Sequence, residues 1–205
     1  MELTTFFKGL ALGFVLAMSV GPIALLCIST SLERGSRPGL AVGLGAATAD
    51  GLYAFAAALG LGVLVSFMSD YGLWLKLVGG AFLLYLGWKI MTRTFTSKRA
   101  EVNTKELLKT YCLVVGLTLI SPTTIATYMG AFAGMGLGDT GGDFTLSIFL
   151  GVGALIGSTL WHSILVFTSI ALKTRIKNHH LMWLNKCSGA LLCFFGAASL
   201  TSTLF

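Results

Sequence analysis

The sequence predicts an all-α polytopic membrane protein of six transmembrane helices, built as two inverted three-helix repeats with helices 1 and 4 broken at proline. Three observations carry that expectation. The 205 residues are 55% hydrophobic and 11% charged, with a mean hydropathy of +0.85, where a soluble domain holds about 25% charged residues. The apolar runs reach the roughly 20 residues that a helix needs to cross a bilayer. Basic residues collect in alternate connections, and the two halves of the chain echo one another. Together these exclude a soluble enzyme, a disulfide-stapled secreted domain and a disordered chain. The net charge of +6 reads as the Lys and Arg that orient spans, not as a nucleic-acid surface.

The first apolar run covers 6–32. Within it Lys8 is followed by the apolar stretch 9–32 as in a signal peptide, but that stretch exceeds a hydrophobic signal core of about 7–15 residues and is interrupted at Gly21-Pro22. It is expected to be a retained span. The next runs are 39–67 and 72–92, separated by 68–71 with its single charge at Asp70. A polar linker at 93–109 precedes 110–136, 145–171 and 183–204. The first repeat is thus expected over 1–92 and the second over 110–205. Arg34 and Arg37 lie in the first connection, Arg93, Lys98, Arg99, Lys105 and Lys109 in the third, and Lys173, Arg175 and Lys177 in the fifth. The fourth holds Asp139 and Asp143. Odd connections are therefore expected to be cytoplasmic, with both termini on the opposite side. Trp74, Trp88 and Trp183 fall near span ends as interface anchors, and Lys76 and Lys186 are expected to snorkel.

The duplication shows as ordered matches. Gly43-Leu44-Gly45-Ala46 and Asp50 of the second span answer Gly151-Val152-Gly153-Ala154 and Ser158 of the fifth. Trp74-Leu75, Gly80-Ala81 and Gly87 of the third answer Trp183-Leu184, Gly189-Ala190 and Gly196 of the sixth. Pro22 and Pro122 occupy corresponding places in the first and fourth. A copy of three spans must insert upside down, which is the plan of many secondary transporters. The 26 glycines suit tight helix packing in lipid and would equally serve a homodimer face.

The candidate binding residues follow from that plan. Proline removes a backbone donor and clashes with the preceding turn, so each span should break there. Each break starts a half-helix with unpaired N–H groups and a partial positive charge, suited to an anionic group such as a carboxylate. Ser19, Gly21, Pro22, Ser121, Pro122, Thr123 and Thr124 are the residues expected to line it. Asp50 is the one acid well inside a span. A charge at the bilayer centre costs on the order of 2.5–3.5 kcal/mol, so a partner, water or a proton must offset it. Asp50 could couple transport to protons, hold an ammonium group or meet a structural partner. His162, on the helix face of Ser158, could relay protons or make an interhelical hydrogen bond. Cys27, Cys112, Cys187 and Cys193 form no CxxC pair, and neither a GxxxxGK nor a GxGxxG phosphate loop is present. The expectation is no enzyme, no metal and no cofactor.

Gly21-Pro22, Gly35, Gly39, Gly43, Ala46 and Asp50-Gly51 make the chain resemble the lysine exporter family and its homoserine/threonine efflux relatives, over nearly its whole length. The resemblance implies an exporter of amino acids or similar small solutes in the bacterial inner membrane, driven by the proton-motive force. Two other readings stay open here: a divalent-cation exporter, which one buried acid serves poorly, and a thiol–disulfide electron carrier using Cys27 and Cys112.

Overall fold

Proline and glycine decide where the helices of this chain start and stop. The computed structural model describes residues 2–18, 21–92, 103–134, 143–173 and 178–201, except for the side chains of 61–69, 75, 122–123, 133–134 and 178–185. Helix α1 (Glu2–Met18) stops short of Gly21-Pro22, and α2 (Pro22–Arg34) begins at the proline. At a helix's first position the missing N–H costs nothing, because no intrahelical acceptor awaits it. The axes of α1 and α2 meet at 76°. Gly35, at φ 98°, ends α2 and opens α3 (Ser36–Leu59).

The next break corrects the expected connection at 68–71. Helix α4 (Leu61–Met91) runs straight through Asp70, and the interruption falls at Gly60, whose φ is 153°. Leaving a helix through positive φ needs glycine, whereas a serine and an aspartate do not by themselves stop one. Helix α5 (Thr104–Leu119) starts where the Asn103 side chain accepts a hydrogen bond from the Lys105 N–H at 3.3 Å. Helix α6 (Pro122–Gly134) begins at the second proline, and its 124–132 portion lies at 60° to α5. Asp143 caps α7 (Phe144–Lys173) by accepting from the Thr145 N–H at 2.9 Å, and α8 (Asn178–Thr201) completes the described chain.

All described regular structure is helical. Ser36–Leu59, Asp70–Met91 and Phe144–Lys173 are each long and apolar enough to cross a membrane, and each bent pair adds one further span if taken as a unit. Lys186–Thr201 is a shorter apolar helix. The chain is a multi-pass membrane protein.

Small residues set the helix packing, since lipid offers no hydrophobic drive between helices and close backbone approach must replace it. Gly9 and Gly13 of α1 lie against the backbone at Leu150 and Ala154 of α7. The numbers rise together, so α1 and α7 run parallel. Gly51 meets Leu155, Gly151 meets Phe55, and Gly43 meets the His162 Cβ; here the numbers run oppositely, so α3 and α7 are antiparallel. Gly80 faces Gly196 and Gly87 faces Gly189, which makes α4 and α8 antiparallel as well. Along α3 and α7 the buried side chains fall into two apolar clusters. One holds Tyr53, Tyr128, Leu150 and Ala154; the other holds Val42, Ala46, Val114 and Val166. Asp50, Ser158 and His162 occupy the buried layer between them.

Candidate functional site

The two span breaks open into a single cavity of about 710 Å³, a size typical of small-molecule sites. The start of α2 contributes Gly21, Pro22, Ile23 and Ala24 to its wall, and α3 contributes Ala46 and Asp50. The second break adds Thr118, Ser121, Thr124, Thr127 and Tyr128, while His162 enters from α7. At α2 the N-terminal residue Gly21 is extended (φ −101°, ψ −179°) and no side chain caps the helix. The first turn of α2 thus borders the cavity with N–H groups that no side chain caps. The carbonyls of Gly21 and Ser121 each accept from the residue four further on, Leu25 and Ile125, both at 3.3 Å. The two half-helices thus begin in the same way.

Helix α5 leaves carbonyls behind at its break, because Pro122 has no N–H to return to Thr118. Ser121 N–H donates to the Thr118 carbonyl at 3.1 Å, and the Tyr53 hydroxyl donates to the Leu119 carbonyl at 2.7 Å. A broken backbone at membrane depth is thereby satisfied by protein. Tyr53 stacks on Tyr128, with ring centroids 5.7 Å apart, and so ties α3 to both sides of the break.

Asp50 is 8% exposed. Ser158 Oγ donates to its Oδ2 at 2.6 Å, a short bond of the charge-assisted kind. His162 Nδ1 lies 2.9 Å from the Ser158 carbonyl and 3.3 Å from Ser158 Oγ. A carbonyl only accepts, so Nδ1 carries a proton, and in a neutral ring Nε2 is then a bare acceptor. The result is a chain from His162 through Ser158 to Asp50. The Tyr128 hydroxyl stands beside the same carboxyl. Gly43 allows this arrangement: a Cβ there would sit 2.7 Å from the His162 Cβ.

Of the residues expected from sequence, Gly21, Pro22, Asp50, Ser121, Thr124 and His162 all line this cavity. Ser19 lies outside the described residues, as do the side chains of Pro122 and Thr123. Sequence reasoning missed Tyr128, Thr127, Lys76 and Ser199, which also line it. Tyr128 was within reach, since Thr124 and Tyr128 share a helix face at i, i+4. Lys76, expected to snorkel, forms part of the wall. Among the described residues no three His, Cys, Asp or Glu side chains are grouped to hold a metal ion. All four cysteines are free. Cys27 is buried and donates to the Gly39 carbonyl at 3.6 Å, while Cys112 is exposed.

The LysE type translocator family matches residues 14–203 of the chain. A protein of Bacillus subtilis (strain 168), named "Putative amino acid efflux protein YcgF", is 26% identical over 197 residues, covering 93% of this chain and 92% of its own. The uncharacterised membrane protein YahN of Escherichia coli (strain K12) is 31% identical over 83 residues, which span 40% of this chain and 37% of that protein. An uncharacterised membrane protein of Pseudomonas aeruginosa is 26% identical over 194 residues, 90% of this chain and 89% of the relative. No solved structure matches.

Proposed function

The chain belongs to the LysE type translocator family, and on that premise we propose that it is a secondary transporter that exports a small amino acid or related zwitterionic solute in exchange for protons. One observation carries the reading: both half-helix starts and the buried carboxyl of Asp50 line one cavity. The N–H groups at the starts of α2 and α6 receive the solute's carboxylate, as helix N-termini receive anions. Ser121 and Thr124 add hydroxyls around it. Asp50 pairs with the ammonium group when charged and takes a proton when the solute has left. His162 and Ser158 form the route by which that proton enters or leaves the carboxyl.

The six-span inverted plan supports alternating access in this reading. Asp50 and Ser158 stand 108 residues apart and touch each other, and Leu84 and Cys193 do so 109 residues apart, with Cys193 Sγ 3.7 Å from the Leu84 carbonyl. Contacts between corresponding residues are what a two-fold axis in the membrane plane produces. The pairing of Gly80 with Gly196 and of Gly87 with Gly189 obeys the same exchange. Residues 1–92 and 110–205 are the two repeats, joined at 93–109 on the cytoplasmic face of a bacterial inner membrane, with both termini periplasmic.

The test is transport by purified protein in liposomes loaded with amino acids under an imposed pH gradient. Asp50→Asn keeps the side chain's shape and its acceptor for Ser158, so the protein should insert and fold. Gradient-driven efflux should fall to the level of empty liposomes. Efflux that still follows the gradient in Asp50→Asn would sink the mechanism.

A further inference from the structure

Lys76 is a charged cavity residue that the mechanism above leaves unused. It lies on α4 within the Asp70–Met91 span, half-buried, and shares its part of the wall with Ser199 of α8. Ser199 Oγ donates to the Lys76 carbonyl at 3.2 Å, which pins α8 to α4 at this level. The cavity wall also includes the apolar Leu83, Phe194 and Phe195. Asp50 and Lys76 are the formally charged residues among those lining the cavity. Ionisable residues within membrane spans face the bundle interior or water and mark solute pathways. The cavity therefore carries one negative pole at Asp50, a positive one at Lys76, and partial positive charge at the two helix starts.

We infer that Lys76 is the charge-selectivity residue of this cavity: it admits amino acids with uncharged side chains and rejects those bearing a second cationic group. The inference rests on the amino-acid export reading and deepens it by naming the side-chain class. A neutral amino acid brings one ammonium and one carboxylate, which Asp50 and the helix starts match. Lysine or arginine brings a further cation for which the described residues of the wall offer no second acid, and which instead meets Lys76. In a partly wet site a unit like-charge encounter at several ångströms disfavours binding on the order of tenfold to a hundredfold.

Liposomes holding the full-length protein are loaded with an equimolar mixture of neutral and basic amino acids, and efflux of each is measured by mass spectrometry. Wild type should release neutral amino acids at least about tenfold faster than lysine and arginine. Lys76→Gln should raise the basic-to-neutral ratio by about the same factor, and Lys76→Arg should restore the wild-type ratio. The ratio is independent of how much variant protein folds. Equal efflux of basic and neutral amino acids by wild type would overturn the inference while leaving export intact. So would an unchanged ratio in Lys76→Gln. Efflux of no amino acid at all by wild type overturns the export reading itself, and this inference with it.

Discussion

Removing one oxygen atom from Tyr53 should loosen the second span break. The Tyr53 hydroxyl donates to the Leu119 carbonyl at 2.7 Å and lies 3.4 Å from the Thr118 carbonyl. Thr118 keeps a second partner in the Ser121 N–H, so Tyr53→Phe strands the Leu119 carbonyl. Tyr53 is 4% exposed, and bulk water does not replace the lost donor. A buried acceptor left unmade costs about 1–3 kcal/mol in soluble proteins. Interhelical hydrogen bonds within membranes average about 0.6 and reach about 1.7 kcal/mol. Because this carbonyl lies at a backbone break with no helical substitute nearby, we expect the upper part of the membrane range, about 1–1.5 kcal/mol. Reversible unfolding in bicelles measures it, with Tyr85→Phe as control because Tyr85 is 59% exposed. The same variant should lower apparent substrate affinity, since Ser121 and Thr124 are positioned by the break. A Tyr53→Phe change below about 0.5 kcal/mol, the range of ordinary surface substitutions, would refute the claim that Tyr53 supports the broken backbone.

Three further outcomes follow from the packing and the polar layer. A Cβ at Gly13 would run into the Ala154 backbone, which cannot move aside, whereas one at Gly130 meets nothing within 4 Å. Gly13→Val should therefore abolish recovery of monodisperse protein in detergent, and Gly130→Ala should be neutral or stabilise by up to about 1 kcal/mol through helix propensity; equal yields would contradict the α1–α7 contact. Ser158→Ala removes the 2.6 Å donor to Asp50 and should slow gradient-driven efflux on the order of tenfold, the equivalent of about 1.4 kcal/mol. An unchanged efflux rate in Ser158→Ala would show that this bond does not serve the proton's path. Replacing Cys27 and Cys112 with serine should leave export at wild-type rates, and loss of activity would return thiol chemistry to consideration.

Much of the site was legible because membranes make polar residues conspicuous. Asp50, His162 and the two prolines stand out of apolar runs, and each breaks a rule of the bilayer that only a cavity or a partner can excuse. The helix ends were less legible. The charge at Asp70 suggested a connection at 68–71, but the chain leaves its helix at Gly60, where a positive φ is available. Lys76 and Tyr128 escaped for another reason: composition says that a residue is polar, not which neighbouring helix it faces.

By itself the sequence determined the membrane class, the two breaks at proline and the residues too polar to face lipid, because these follow from local chemistry against a uniform apolar solvent. Tertiary structure alone decided that both breaks open into one cavity, that Ser158 donates to Asp50, and that Lys76 lines the same cavity. Those depend on which glycines let which helices approach, and close packing between elements distant in the chain is written in pairs of residues that no single stretch contains.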